Sequence, residues 1–194
     1  MNAVALRYGA PWILLLLCGC GPRASIVLDQ PFAPPSQRTL KLASDQAFLA
    51  DSADRQAAVA AFGLPGARDG PRAFVLYVAL PPGSRDIAVA PFDEKAAGGF
   101  LIQEVGVLAG RSDFLAGTIR RRPVWFDRRL ERLELDVRCE DGTHISGHAV
   151  VRRDARPVQS VEREFAGDVR LLRSADSEPD RSAATPLRSS PASQ

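Results

Sequence analysis

Lysine is almost missing from this chain. Lys41 and Lys95 are the only two, and arginine supplies the rest of the positive charge. The skew reads first as codon usage, and only second as a demand for the planar, bidentate guanidinium. Arginines and acids are interleaved and the formal net charge is only +2. Two stretches are densely basic, Ile119–Pro123 and Asp127–Arg138, and the second is largely cancelled by Glu131, Glu134 and Asp136. A broad basic face is thereby excluded, and nucleic acid is not expected as a partner. Long apolar runs are missing too: Ala10–Leu17 is under half the roughly 20 residues a membrane-crossing helix needs. No Gly-x-Ser-x-Gly nucleophile elbow is present, and Gly98-Gly99 lacks the Lys-Ser/Thr that would make a phosphate loop. No repeat of fixed period is visible. What remains is 194 residues, 45% hydrophobic and 25% charged. That is enough for one packed domain with tails, and it excludes disorder throughout.

The N-terminus carries the most specific signal. Met1–Gly9 holds one charge, Arg7. The short apolar run follows, and Gly19, Gly21 and Pro22 would end any helix there. Charge, short oily stretch and small residues make the pattern of an export signal. Within it, Leu17-Cys18-Gly19-Cys20 resembles the lipobox of bacterial lipoproteins: a leucine, two small residues, then the cysteine that is acylated. Cys20 fits that place. Cys18 does not, because bulky Leu16 and Leu17 would occupy the small positions. The resemblance covers Met1–Cys20 only. It implies a diacylglyceryl group on the Cys20 thiol, cleavage just before Cys20, and acylation of the new amine. One acyl chain holds a protein marginally and two or more hold it stably, so the membrane is expected as a partner through covalent lipid. Gly21, where an Asp would retain an inner-membrane lipoprotein, implies the outer membrane of the cell envelope.

Four segments follow from composition. Residues 1–19 read as signal peptide, and 20–37 as lipidated cysteine and Pro-rich tether, with Pro22, Pro31, Pro34 and Pro35. Residues 38–173 read as the folded domain. Residues 174–194 are too poor in large apolar residues to order themselves. Inside the tether, Ile26–Leu28 is a candidate first strand. Asp51–Phe62 reads as the one short helix, capped by Asp51 or Ser52, rich in alanine and stopped at Gly63. Phe74–Leu80 suits a strand covered on both faces. Further strands are expected at Thr39–Ala43, Ile87–Ala90, Phe100–Leu108, Phe114–Ile119 and Glu164–Leu172, with a turn at Ala109–Asp113. The clearest hairpin is Leu133–Val151. A two-residue turn mismatches its apolar faces, whereas a three-residue loop, Glu140-Asp141-Gly142, pairs Val137 with Ile145 and needs Gly142 left-handed. The fold class is mainly β: an antiparallel β-sandwich or partly open barrel of about six to eight short strands, with one short helix over about 51–62.

Chemistry-bearing residues are few. The only histidines, His144 and His148, fall on the polar face of the hairpin. They are about 13 Å apart along a strand, too far to share one ion with metal–nitrogen bonds of about 2 Å. His148, Glu134 and Asp136 remain a weak metal-ligand set beside the simpler reading of a solvated face. Cys139 lies on the apolar face, without a disulfide partner once Cys18 is cleaved and Cys20 lipidated, and reads as an inert buried thiol. Trp125-Phe126 beside Arg120–Arg122 reads as core, with a sugar- or peptide-binding surface as the rival. No cofactor is implied. The expectation is a lipid-anchored envelope protein whose domain binds or assembles, with an envelope protein or a glycan as partner and no catalysis. An envelope hydrolase using carboxylates gathered by the fold, or a purely structural lipoprotein, stands as the alternative.

Overall fold

The computed structural model describes residues 22–51, 55–63, 72–91, 93, 95–104, 109–167 and 169. Ten strands run in the order β1 (Arg23–Asp29), β2 (Thr39–Ser44), β3 (Ala47–Asp51), β4 (Gln56–Gly63), β5 (Arg72–Leu80), β6 (Asp86–Val89), β7 (Gly98–Gln103), β8 (Gly110–Pro123), β9 (Leu130–Cys139) and β10 (His144–Arg153). Among the described residues one helix, α1 (Ala155–Glu164), follows.

Seven strands close a barrel in the spatial order β3-β4-β5-β7-β8-β9-β10, and β10 returns to β3. Six of the seven contacts are antiparallel. The seventh, β10 with β3, is parallel and only two residues long. An odd number of strands forces this: directions cannot alternate all the way around a ring of seven. Closure removes the edges of these seven strands from pairing with other chains, and β2 and β6 are left as the edge strands. The fold is therefore a closed barrel rather than a sandwich. β1 continues the wall beside β10 and carries β2 on its outer side, while β6 lies along β8.

Strand alternation fills the barrel. β9 buries Leu133, Leu135, Val137 and Cys139 and exposes Asp136 and Arg138. Ile26 and Leu28 of β1, and Ile87 and Val89 of β6, join the same core. β5 is covered on both faces as its composition suggests. Phe74, Leu76, Val78 and Leu80 face the interior, and Val75, Tyr77 and Ala79 face α1.

Several expectations are corrected. The helix expected over 51–62 is replaced by strands β3 and β4. Alanine-rich β4 has neighbours on both sides and is packed on both faces, with Ala58, Ala60 and Phe62 inward and Ala57 and Val59 under α1. Small side chains suit a strand squeezed between two layers, and tertiary pairing overrides helix propensity there. Of the strand expected at Glu164–Leu172, the described residues, 164–167 and 169, instead continue a helical segment. α1 starts at Asp154, whose side chain accepts from the Arg156 backbone N–H. Pro157 falls in its first turn, where a missing N–H costs nothing. Val158, Val161, Phe165 and Val169 then make an apolar stripe at helical spacing over β4, β5 and β7. Leu171 lies outside the described residues. The turn expected at Ala109–Asp113 is mostly strand, since Gly110–Asp113 already pair with β7. The chain from Arg23 to Asp29, expected within the tether, is a central strand, because Ala24, Ile26 and Leu28 are needed in the core. The folded unit therefore includes Arg23–Asp29, ahead of Arg38.

The β9–β10 hairpin matches its expected register. Cys139 N–H donates to the Thr143 carbonyl at 2.8 Å, Val137 pairs with Ile145, and Gly142 sits at φ +82°.

Candidate functional site

One half of the barrel wall is covered by α1. The other half, formed by β8, β9, β10 and β1, faces solvent with polar side chains. A shallow depression of about 240 Å³ lies on it, lined by Ala116, Gly117 and Thr118 of β8, Asp136 and Arg138 of β9, and His144 of β10. Local sequence makes it. Ala116 and Gly117 carry almost no side chain, so the wall dips where longer residues flank it. The register between β8 and β9 slips between Phe114 and Ala116, leaving half-exposed Leu115 as the extra residue of a bulge. Gly117 has φ +140°, and a Cβ there would overlap the Asp136 carbonyl and lie 2.8 Å from Val137 Cα. Gly147 of β10 repeats the arrangement against β1: φ is +143°, and a Cβ would overlap the Ser25 carbonyl and lie 2.8 Å from Ile26 Cα. These glycines flank the strands that carry the site and let neighbouring backbones approach.

His144 stands opposite Arg138, and Asp136 opposite both Ser146 and Thr118. The ring Nε2 of His144 lies 2.7 Å from Asp136 Oδ1, a diagonal cross-strand pair that fixes the imidazole. Asp136 remains 73% exposed and His144 42%, so water weakens the pair. The arrangement offers an oriented imidazole, a guanidinium and a hydroxyl around an open floor. That set suits weak recognition of a polar or anionic group.

The proposed metal-ligand set is on this face but is not gathered. Glu134 lies opposite His148, as expected, yet its carboxylate contacts Arg132 at 3.3 Å, while Asp136 is engaged by His144. Among the described residues no group of three His, Cys, Asp or Glu side chains is close enough to hold an ion. Cys139 is 1% exposed, and burial first, then Asp141, Asp113 and Glu140, push its thiol up to about 12. Cys20 lies outside the described residues.

Trp125 and Phe126, expected in the core, are 92% and 53% exposed in the β8–β9 connection, edge-to-face with ring centroids 5.4 Å apart. The connection folds as two successive turns, closed by Asp127 N–H to the Val124 carbonyl and Leu130 N–H to the Asp127 carbonyl.

Two polar features were missed. Arg121 is buried and meets Glu131 at 2.7 Å inside one end of the barrel, with Arg153 at 3.6 Å from the same carboxylate. Alternation from inward Ile119 would have placed Arg121 inward. Arg72 joins β5 to Glu104 and to Glu164 of α1, and its guanidinium lies 5.5 Å from the Phe165 ring centre. The bond from Arg72 holds the Glu164 carboxyl below its usual range.

No protein-family model, no curated protein and no solved structure matches the chain. Among the described residues no helix is long and apolar enough to cross a membrane.

Proposed function

We propose that this protein is a lipid-anchored lipoprotein of the bacterial cell envelope, whose barrel is a non-catalytic binding or assembly domain. The observation that carries the reading is the Leu17-Cys18-Gly19-Cys20 lipobox at the end of a short apolar run. The packed interior supports a role for the outer surface, since the barrel core is filled with side chains from Ile26, Phe62, Phe74, Ile119 and Leu133. On that surface the α1 half is already occupied, and the bare β8–β9–β10 face holds the depression around His144, Asp136 and Arg138. Its partner is an envelope protein or a glycan with polar or anionic groups.

Two arms test the reading. Labelled palmitate is expected on the wild type and on Cys18→Ser, and not on Cys20→Ser. A photo-crosslinking residue at Thr118, on the depression, is expected to give an adduct in intact envelopes, while one at Gln159, on the exposed side of α1, gives none. Label that survives Cys20→Ser removes the anchor. Equal or absent adducts at the two positions remove the binding face.

A further inference from the structure

The barrel has two unlike ends. At one lie the β9–β10 hairpin loop with Glu140 and Asp141, and the far end of β1 with Asp29. At the other lie the β8–β9 connection with Trp125 and Phe126, and the start of β1. The register fixes the second end closely. Arg23 pairs with Val150, Val150 with Arg132, and Arg132 with Arg122. These residues form one row across four adjacent strands, about 14 Å wide at the usual strand spacing. Alternation turns all of them outward, with the three arginines exposed. Trp125 is three residues beyond Arg122, and Arg128 and Arg129 sit in the same connection.

Two independent observations converge on this end. An almost fully exposed tryptophan beside a half-exposed phenylalanine, ringed by arginines, has the amphipathic character of residues that settle at a membrane–water interface. The chain also enters the fold here. Cys20 is three residues before Arg23, so a fully extended link reaches only about 11 Å. A headgroup layer is of the order of 5–8 Å deep. A lipid on Cys20 therefore holds this end, and not the acidic one, against the bilayer.

We propose that the Trp125–Phe126 end of the barrel beds into the headgroup region of an anionic phospholipid bilayer. The aromatic pair enters the interface and the Arg23–Arg132–Arg122 row meets phosphates. The contact orients the domain, turning the hairpin end with exposed Phe32 away from the membrane and leaving the depression at His144 on the barrel's flank. The tether part of the argument rests on the lipid-anchor reading above; the aromatic turn and the arginine row do not. Asp86, 3.6 Å from Arg120 and 3.7 Å from Arg122, Glu134 beside Arg132, and Asp127 within the connection reduce the local positive charge.

Trp12 and Trp125 are the only tryptophans, which makes the test direct. The lipidated protein isolated from envelopes, carrying Trp12→Phe so that any uncleaved precursor is silent, is reconstituted with vesicles of phosphatidylcholine and phosphatidylglycerol containing a brominated lipid. Trp125 emission is expected to fall by about twofold or more and to shift to the blue. With Trp125→Phe and Phe32→Trp added, the reporter at the opposite end is expected to keep its emission. Arg122→Glu with Arg132→Glu, both at exposed positions, weakens the Trp125 quenching, by roughly a hundredfold or more in binding strength where binding is limiting. The proposal is overturned if Trp125 is as open to aqueous iodide with vesicles as without, if position 32 is quenched equally, or if the chain does not float with the vesicles. Palmitate label persisting in Cys20→Ser while Trp125 is still quenched would remove the anchor and leave this contact standing.

Discussion

Cys139 shows how placement decides the chemistry of a residue. It faces the barrel interior opposite Phe114, and its thiol is pushed up to about 12 by burial and by nearby Asp141, Asp113 and Glu140. A thiol held protonated and out of water is a poor nucleophile. The native protein is expected not to react with a thiol reagent at pH 8 and to titrate one further thiol on unfolding, read by the colour released. The same shift has a sign for stability. The unfolded thiol ionises from about pH 8.5, while the folded one stays protonated. Its contribution is complete below the unfolded value and is lost as pH rises toward about 12. Denaturation midpoints are therefore expected to fall through the alkaline range, and to fall less in Cys139→Ala. Glycines 117 and 147 are the second residue-scale case. Both combine positive φ with a backbone contact that a Cβ would violate. Gly117→Ala and Gly147→Ala are each expected to cost about 3 kcal/mol or more in urea denaturation, and neutral behaviour of either would show that the close approach is not required.

At the scale of elements, the contrast between β4 and the β9–β10 hairpin shows what sequence can specify. The hairpin was legible because its alternation is strict and only one loop length keeps every apolar residue on one side. β4 was not, because alanines carry no period: the same letters satisfy a capped helix locally and a doubly covered strand globally. α1 was missed for a related reason. Val158 and Val161 alone are too few to announce a helix, and Phe165 and Val169, which complete the stripe, also fit strand alternation. The stripe is nonetheless what covers β4, β5 and β7. Val161→Asp puts a charge into that layer with no partner provided, and is expected to destabilise by about 3 kcal/mol and to raise binding of a dye that reports exposed apolar surface. An unchanged melting curve would mean that α1 is not needed to cover the sheet. The candidate site was half legible. The histidines and Asp136 were placed on one polar face, but the dip beside them depends on Gly117 and on the bulge at Leu115, which follow from how β8 meets β9 and not from either strand alone.

At the scale of the molecule, the barrel separates three surfaces that residue pattern alone does not distinguish. One side lies beneath α1, one flank is polar and bare, and one end carries aromatics and arginines where the chain enters. Including Arg23–Asp29 in the fold also changes the mechanical picture. A tether of residues 20–37 would let the domain swing freely; with the proposed lipid on Cys20, the short link to Arg23 would hold one end of the barrel at the membrane, and the flank with His144 and Asp136 would point sideways along it. That mechanical picture depends on lipid at Cys20. The most direct measurement is the intact mass of the N-terminal peptide of the mature protein isolated from envelopes. The account predicts a peptide that begins at Cys20 and carries a diacylglyceryl group with or without a further acyl chain on its amine. A mature chain that begins elsewhere, or one that begins at Cys20 with an unmodified thiol, would contradict it.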